Sequence, residues 1–332
     1  MERRIGERQR WVWLAVGLSA VAAVRLCAIN WLWVLLGGLA ACLYYLYIEK
    51  RLLTDGLAGR LTDSFGFPGK VLCVLLLFWI ILVMGRCACY ADTAFPMVDG
   101  FPSLGWVLLA LAAWGSRKGP QACAGCSGIL CLFLLALYGV IAVFSVPDIK
   151  VQYLAPAADW RQTIEVLGMF LLPAGVWCVP VRQRKGKCRS LIFLLPVFAA
   201  ALSAVTGGVL SPEVAMENPA PLYELSRSVS VLGVVERIEP LISAAMTMGI
   251  FCLLSSLACA CQALADQVGS WRRSGSLCCL AAAGTMYFAK DVSQTFLTGG
   301  NLAFFLFLPL AAAAVKKSQN FEKKGVDKAG EQ

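Results

Sequence analysis

The chain has 332 residues, of which 59% are apolar and 15% are charged, and its formal net charge is +9. Soluble domains use roughly 45–50% apolar and about 25% charged residues, so this composition excludes an ordinary soluble domain. The chain has no histidine, which excludes Ser-His-Asp and Cys-His catalysis and the histidine-based metal motifs. We therefore expect a membrane protein that is not an enzyme and has no cofactor and no metal site.

Apolar runs separated by polar breaks predict transmembrane helices, because a helix of about 20 apolar residues crosses the hydrocarbon core of a bilayer. The predicted ranges are 11–28, 30–48, 70–91, 103–115, 122–146, 163–181, 190–210, 240–265, 276–289 and 297–315. Only Asn30 and the region of Arg25 separate the first two helices, which leaves open a single bent element. The sequence predicts an all-α polytopic membrane protein with about ten transmembrane helices.

Lysine and arginine are distributed unevenly between the two sides of these helices. Most of the 29 basic residues fall on the side that holds both termini. The opposite side has Arg25, Lys150, Arg161, Arg227, Arg237 and Lys290. Because cytoplasmic loops carry the excess of basic residues, both termini are predicted to be cytoplasmic in a cell membrane. The positive charge then reflects orientation in the lipid bilayer, and we expect no binding to nucleic acid.

The ten predicted helices divide into two halves of five. Residues 1–315 form one transmembrane domain, with a first repeat at about 11–146 and a second at about 163–315. An odd number of helices in each half makes the second half enter the membrane from the opposite side, as an inverted repeat requires. The basic tail, residues 316–332, is predicted to be cytoplasmic and disordered.

Irregular helices occur at matching positions of the two halves. The first helix is interrupted by Arg25 and contains Gly17, and the sixth is interrupted by Gly168, Pro173 and Gly175. The fourth and ninth helices are both short. Paired broken or short segments of this kind indicate a 5+5 inverted-repeat transporter fold of the LeuT type, with its site near the bilayer midplane.

Cysteine is abundant, with fifteen residues, and most of them lie within apolar runs. We interpret these as small polarizable residues that pack between helices. Cys123 and Cys126 form a C-x-x-C motif, but no second pair follows at the spacing of a zinc site.

The residues before and through the eighth helix resemble a known family. The stretch "APLYELSRSVSVLGVVERIEPLISAAMTMGIF" (220–251) is similar to the corresponding region of the spore germination permeases, the B-type subunits of nutrient germinant receptors in the amino acid/polyamine/organocation superfamily. The stretches "SRKGPQACAG", "SVPDIKVQYLAP" and "NWLWVLLGGLAACLYYLYIEKRL" also resemble this family in order and spacing.

This resemblance implies a membrane subunit that senses a small nutrient, most readily an amino acid, and triggers spore germination. It would work in a hetero-oligomer with other germinant-receptor subunits in the inner membrane of a bacterial spore. The alternative is a secondary transporter for an amino acid or small cation without a germination role.

Five positions are candidate ligand-binding residues: Gly17, Ser19, Gly168, Met169 and Gly249. A zwitterionic amino acid needs backbone N–H groups at the start of a half-helix for its carboxylate, and carbonyl or hydroxyl groups for its ammonium. Close packing of helices at small residues is the other explanation of these positions.

Charged residues at the outer side are candidates for a second role. Glu236, Arg237 and Glu239 precede the eighth helix, where they form either a gate or subunit contact, or a favourable cluster at a helix N-terminus. Arg86 lies near the outer end of the third helix. It either reaches the interface or pairs with Asp92, or it is a buried ligand-binding residue.

Overall fold

The computed structural model describes residues 4–52, 56–94, 103–155, 160–182, 192–228, 238–269 and 274–315. The helices are α1 (Glu7–Val24), α2 (Trp31–Leu52), α3 (Gly56–Phe65), α4 (Phe67–Ala94), α5 (Leu104–Arg117), α6 (Pro120–Ser145), α7 (Arg161–Phe170), α8 (Leu194–Leu210), α9 (Pro212–Glu217), α10 (Pro221–Ser228), α11 (Glu239–Val268), α12 (Ser274–Ala289) and α13 (Gln294–Asn301). After α13 the same helix widens into a π-helix over Leu302–Phe307 and continues to Val315.

Five helices in the described ranges are long and apolar enough to cross a membrane. They are Trp31–Lys50, Phe67–Asp92, Pro120–Asp148, Glu239–Val268 and Gln294–Val315. Large apolar side chains on their outer faces, such as Leu43, Phe78 and Leu132, are exposed, as expected for side chains in contact with lipid. These properties are those of an all-α membrane protein.

Each of the ten predicted helices coincides with a helical segment of the structure. In chain order they are α1, α2, α4, α5, α6, α7 with the segment that follows it, α8, α11, α12 and α13. The ends differ by a few residues; the predicted helix 70–91, for example, extends over Phe67–Ala94. The apolar runs therefore locate the long helices correctly.

The first two predicted helices are separate elements. The α-helical conformation of α1 ends at Val24, because Arg25 has φ −128° and ψ −40°, and a 3-10 turn follows over Leu26–Ala28. Asn30 then starts α2, since its Oδ1 accepts a hydrogen bond from the backbone N–H of Leu32 at 3.1 Å. The interruption predicted at Arg25 is thus present, whereas the single bent element is excluded.

The sixth predicted helix is broken within its apolar run. After α7 ends at Phe170, the chain continues as a 3-10 helix over Leu172–Cys178, all of whose residues are buried. Pro173 has no N–H to donate and disfavours a continuous α-helix. The hydroxyl of Tyr45 donates to the carbonyl of Phe170. Irregular backbone at membrane depth requires this kind of burial within protein.

Several short elements were not predicted. Residues Ile5–Gly6 (β1) pair in parallel with Val181–Arg182 (β2) and join the start of α1 to the end of the 3-10 helix. Helix α3 begins at Gly56, whose φ of +70° favours glycine and whose backbone lies against the carbonyl of Cys178. A further short helix, α9, lies between α8 and α10.

The near-helical spacing of Leu222 and Leu225 predicts an amphipathic segment on the membrane interface before the eighth helix. The structure forms α10 there. Its apolar residues Leu222 and Leu225 are fully buried, while Glu224 and Arg227 form an exposed ion pair at 3.3 Å. The apolar face packs against α8 and α11. Protein, rather than the membrane interface, therefore covers this face.

The long helices pack in a regular scheme around α4 and α11, which contact each other extensively. Helix α2 packs on α8, and α5 packs on α12. Other principal contacts join α1 to α6, α8 and α11, α7 to α2 and α13, α4 to α5 and α12, and α11 to α5, α6 and α12.

Candidate functional site

Gly17 and Gly249 lie where α1 packs against α11. A Cβ atom on Gly17 would lie 2.7 Å from Cβ of Pro173 and 3.2 Å from Cδ1 of Leu253. A Cβ atom on Gly249 would lie 3.0 Å from Cβ of Ala20. Both glycines therefore allow a close approach at the junction of α1, the 3-10 helix and α11, which we call the first junction.

Ser19 is on the same helix and is buried, with 2% of its surface exposed. Its Oγ donates to the carbonyl of Val16 at 2.8 Å. Because α1 is continuous from Glu7 to Val24, Gly17 and Ser19 both lie in regular helix. The irregular backbone at this junction belongs instead to Leu172–Cys178.

Gly168 and Met169 lie in the last turn of α7. A Cβ atom on Gly168 would lie 2.8 Å from Cγ2 of Thr298 on α13, and Met169 is buried. The contact of α7 with α13 forms a second junction. The structure therefore divides the predicted ligand-binding residues between two junctions.

A polar cluster at the second junction was missed by the sequence reasoning. Asn301, which is 2% exposed, donates from Nδ2 to the carbonyl of Gly168 at 3.0 Å. Its Oδ1 accepts from Nε1 of Trp79 at 3.1 Å. The buried Oγ1 of Thr298 has no hydrogen-bond partner. A lone asparagine in an apolar run was the available signal, because polar residues within membrane helices are costly and commonly functional.

The π-helix begins directly after Asn301. Tyr44 on α2 donates its hydroxyl to the carbonyls of Phe305 and Leu306 in this π-helix. Single π-turns inside α-helices are frequent at functional sites, because they displace backbone carbonyls from the regular ladder. The second junction thus combines the end of a broken helix, a π-helix and uncharged hydrogen-bonding groups.

A buried arginine was also missed, because Arg10 was counted only as a basic residue at the start of the first helix. It is 2% exposed, and its Nη2 donates to the carbonyl of Val179 at 3.0 Å. Its guanidinium carbon lies 4.5 Å from the centre of the Trp177 ring. Glu49 on α2 is buried as well and attracts Arg10 electrostatically. Arg10 thereby holds the start of α1 against the end of the 3-10 helix.

Glu239 is the first residue of α11 and is half-buried. An acidic residue in the first turn interacts favourably with the helix dipole, and Pro240 follows at a position where its missing N–H costs nothing. Glu236 and Arg237, the other members of the charged cluster, lie outside the described residues.

Arg86 has a different role from pairing with Asp92. Its Nη1 donates to the carbonyls of Ala289 and Lys290, at 3.0 and 2.7 Å, at the C-terminal end of α12. Asp92 instead accepts hydrogen bonds from Oγ of Ser103 and the backbone N–H of Gly105 at the start of α5. Arg86 and Asp92 therefore satisfy the ends of two different helices.

No protein-family model matches the chain, and no curated protein matches its sequence.

Proposed function

We propose that the protein is the membrane subunit of a spore nutrient-germinant receptor, with ten membrane spans in a LeuT-type inverted repeat. Its ligand would be an amino acid or a similar small nutrient, and its response would be to trigger germination. The observation that carries the proposal is that several contacts between the long helices have counterparts when the two halves are exchanged.

The exchange replaces each helix of the first half by its counterpart in the second. Helix α1 corresponds to α7 together with its 3-10 helix, and α2 corresponds to α8. Helices α4, α5 and α6 correspond to α11, α12 and α13, respectively. The contact of α1 with α6 then becomes that of α7 with α13, and the contact of α2 with α7 becomes that of α8 with α1. Similarly, α4 with α12 becomes α11 with α5, and α4 with α5 becomes α11 with α12. An internal repeat accounts for these matched contacts. The contacts of α11 with α1 and α6 are not matched to a similar extent by contacts of α4 with α7 or α13 in the described residues, so the two halves correspond in part of their packing.

The short helices obey the same exchange. Helix α3 lies between the second and third long helices, and α9 and α10 lie between the seventh and eighth, which is the matching place in the second half. The broken sixth helix also supports a transporter-type site, since binding sites in such folds use discontinuous helices buried near the midplane. Gly17, which packs against Pro173 in the 3-10 helix, and Gly168, which precedes that helix, would then both lie beside the ligand.

The germination role rests on the resemblance of residues 220–251 and three further stretches to the spore germination permeases. In this proposal both termini are cytoplasmic, the protein lies in the spore inner membrane, and other receptor subunits bind near the outer end of α11. Glu236, Arg237 and Glu239 would form that gate or subunit contact. The basic tail of residues 316–332 would lie in the cytoplasm.

The test is nutrient-triggered germination of spores that lack this chain, compared with the complemented strain over a panel of amino acids, sugars and nucleosides. Loss of the response to one nutrient class, restored by complementation, is the expected result and identifies the ligand class. An unchanged response to every nutrient would contradict the receptor role. Uptake of a labelled amino acid by proteoliposomes that contain this chain alone would then support the alternative of a secondary transporter.

A further inference from the structure

A cavity of about 280 Å³ lies between α5, α6 and α11, apart from both junctions. Its walls are mainly apolar and include Leu111, Trp114, Ala122, Cys126, Phe251 and Cys252. Trp114 is 64% exposed and Leu111 is 43% exposed on the outer surface of the bundle, so the cavity opens sideways. In a membrane, this opening faces lipid. The volume is just below the range of roughly 300–1,000 Å³ that encloses a drug-sized ligand, and it suits part of a larger molecule such as one acyl chain.

The wall contains a hydroxyl group that has no partner within the protein. Ser255 is 3% exposed, and its buried Oγ makes no hydrogen bond. Its neighbour Ser256 is also buried, yet its Oγ donates to the carbonyl of Leu253 at 2.7 Å. The helix can therefore satisfy a serine hydroxyl locally, and leaving that of Ser255 unsatisfied is unfavourable. An oxygen atom of a molecule in the cavity would accept its hydrogen bond.

Gly115 lies next to this hydroxyl in the wall of the cavity. A Cβ atom on Gly115 would lie 4.0 Å from Oγ of Ser255 and 3.9 Å from Sγ of Cys123. A larger side chain at this position would extend into the cavity. Such a side chain would therefore occupy the part of the cavity beside Ser255.

The charge at the mouth is positive. Lys118, which lines the cavity, is exposed and follows the last residue of α5, and the lining contains no acidic side chain. Lys118 is three residues beyond Gly115, or about 4.5 Å along a helix axis. The positive charge of Lys118 thus lies at the mouth, about one helical turn from the space beside the hydroxyl of Ser255. This order matches a phosphate, an ester carbonyl and an acyl chain.

We propose that this cavity binds an anionic phospholipid of the surrounding bilayer. One acyl chain occupies the apolar space, an ester carbonyl accepts a hydrogen bond from Ser255, and the phosphate lies at Lys118. This inference requires only that the chain lies in a membrane, and it is independent of the germination role.

The experiment uses the full-length chain purified in detergent and incubated with phosphatidylglycerol or phosphatidylcholine, with bound lipid measured by native mass spectrometry. We expect preferential binding of phosphatidylglycerol, and a decrease of at least about tenfold in its affinity in Gly115→Leu. The matched control is Gly139→Leu on α6, where a Cβ atom meets nothing within 4 Å. Unchanged binding to folded Gly115→Leu, or equal binding of both lipids to the wild type, would overturn the proposal.

Two further pairs of variants keep the test decisive if Gly115→Leu does not fold. Ser255→Ala should weaken phosphatidylglycerol binding severalfold, whereas Ser256→Ala should not, because the hydroxyl of Ser256 is satisfied within its own helix. Lys118→Gln should remove the preference for phosphatidylglycerol over phosphatidylcholine, whereas Lys70→Gln, at another exposed lysine, should keep it. Equal effects within both pairs would contradict the assigned contacts.

Discussion

Trp79 and Asn301 join the two halves of the bundle through a hydrogen bond of 3.1 Å from the indole Nε1 to the amide Oδ1. The approach is close because residue 300 is glycine: a Cβ atom there would lie 2.0 Å from the Trp79 ring. The opposite end of the Asn301 amide binds the carbonyl of Gly168. One side chain thus connects α4, α13 and the helix that ends at the break.

The first prediction concerns this connection. Asn301→Ala removes both hydrogen bonds and leaves the indole N–H of Trp79 and the carbonyl of Gly168 unsatisfied in a buried place. We expect a loss of about 1–3 kcal/mol in the free energy of unfolding, since hydrogen bonds between membrane helices average about 0.6 kcal/mol and unpaired buried groups cost more. Thermal unfolding in detergent, followed by tryptophan fluorescence, measures the change.

A double-mutant cycle separates this hydrogen bond from general packing. Trp79→Phe removes the indole donor but keeps an aromatic ring against Phe304, whose ring centre lies 5.4 Å from that of Trp79. The effects of Trp79→Phe and Asn301→Ala should be less than additive in the double variant, because both remove the same bond. Strict additivity would contradict a direct interaction.

The second prediction concerns the first junction. Gly17→Ala places a methyl group 2.7 Å from Cβ of Pro173, so α1 and the 3-10 helix must separate. Overpacking of this kind costs about 1–3 kcal/mol. The control is Gly284→Ala on α12, where the added methyl group meets nothing within 4 Å and stability should not fall. An unfolding temperature for Gly17→Ala equal to that of the wild type would contradict the contact.

The same variants test Gly17 as a ligand-binding residue. In spores, Gly17→Ala should reduce the nutrient response more than its loss of folded protein explains, because the ligand would lie beside the same contact. Membrane abundance, measured by quantitative immunoblotting, provides the correction. A normal response per folded molecule would remove Gly17 from the ligand site and leave it with a packing role alone.

The long helices could be predicted from the sequence, because each is a continuous apolar run and the break after Gly168 is marked by Pro173. The short pairing of Ile5 with Val181 could not, since neither segment forms a strand alone and the pairing depends on how α1 meets the 3-10 helix. The role of Asn301 likewise depends on a residue in α7 and another in α4. Sequence patterns report the burial of individual segments, whereas these contacts depend on the packing of several.

The third prediction concerns Arg10. Arg10→Gln removes the charge that faces the buried Glu49 and weakens the hydrogen bond to the carbonyl of Val179. Because the buried carboxylate of Glu49 then loses the attraction of Arg10, we expect a loss of about 3–5 kcal/mol, the cost of breaking a buried charge pair. Arg8→Gln, at an exposed position two residues earlier, should change stability by less than about 0.5 kcal/mol.

Glu49→Gln in the Arg10→Gln background provides the second half of that test. Removing the carboxylate as well should restore part of the lost stability, since the buried charge that Arg10 attracted is then absent. If the double variant is as unstable as the sum of the two single variants, Arg10 acts only through Val179 and the Trp177 ring. Chemical denaturation in micelles, with the slope compared between variants, measures these differences.

The last prediction distinguishes ten membrane spans from the five formed by the longest helices. Helices α5, α8 and α12 are short, with apolar stretches at Leu104–Arg117, Leu194–Leu210 and Ser274–Met286. If α5 crosses the membrane, chains truncated after Ser103 and after Lys118 place a fused reporter on opposite sides. A fluorescent protein that matures only in the cytoplasm should be active after Lys118 and inactive after Ser103, and alkaline phosphatase should give the reverse. The same change of side is expected across α8 and α12. Reporters on one side before and after α5 would contradict both the ten-span arrangement and the inverted repeat, because a half with four spans would no longer enter the membrane in the opposite direction.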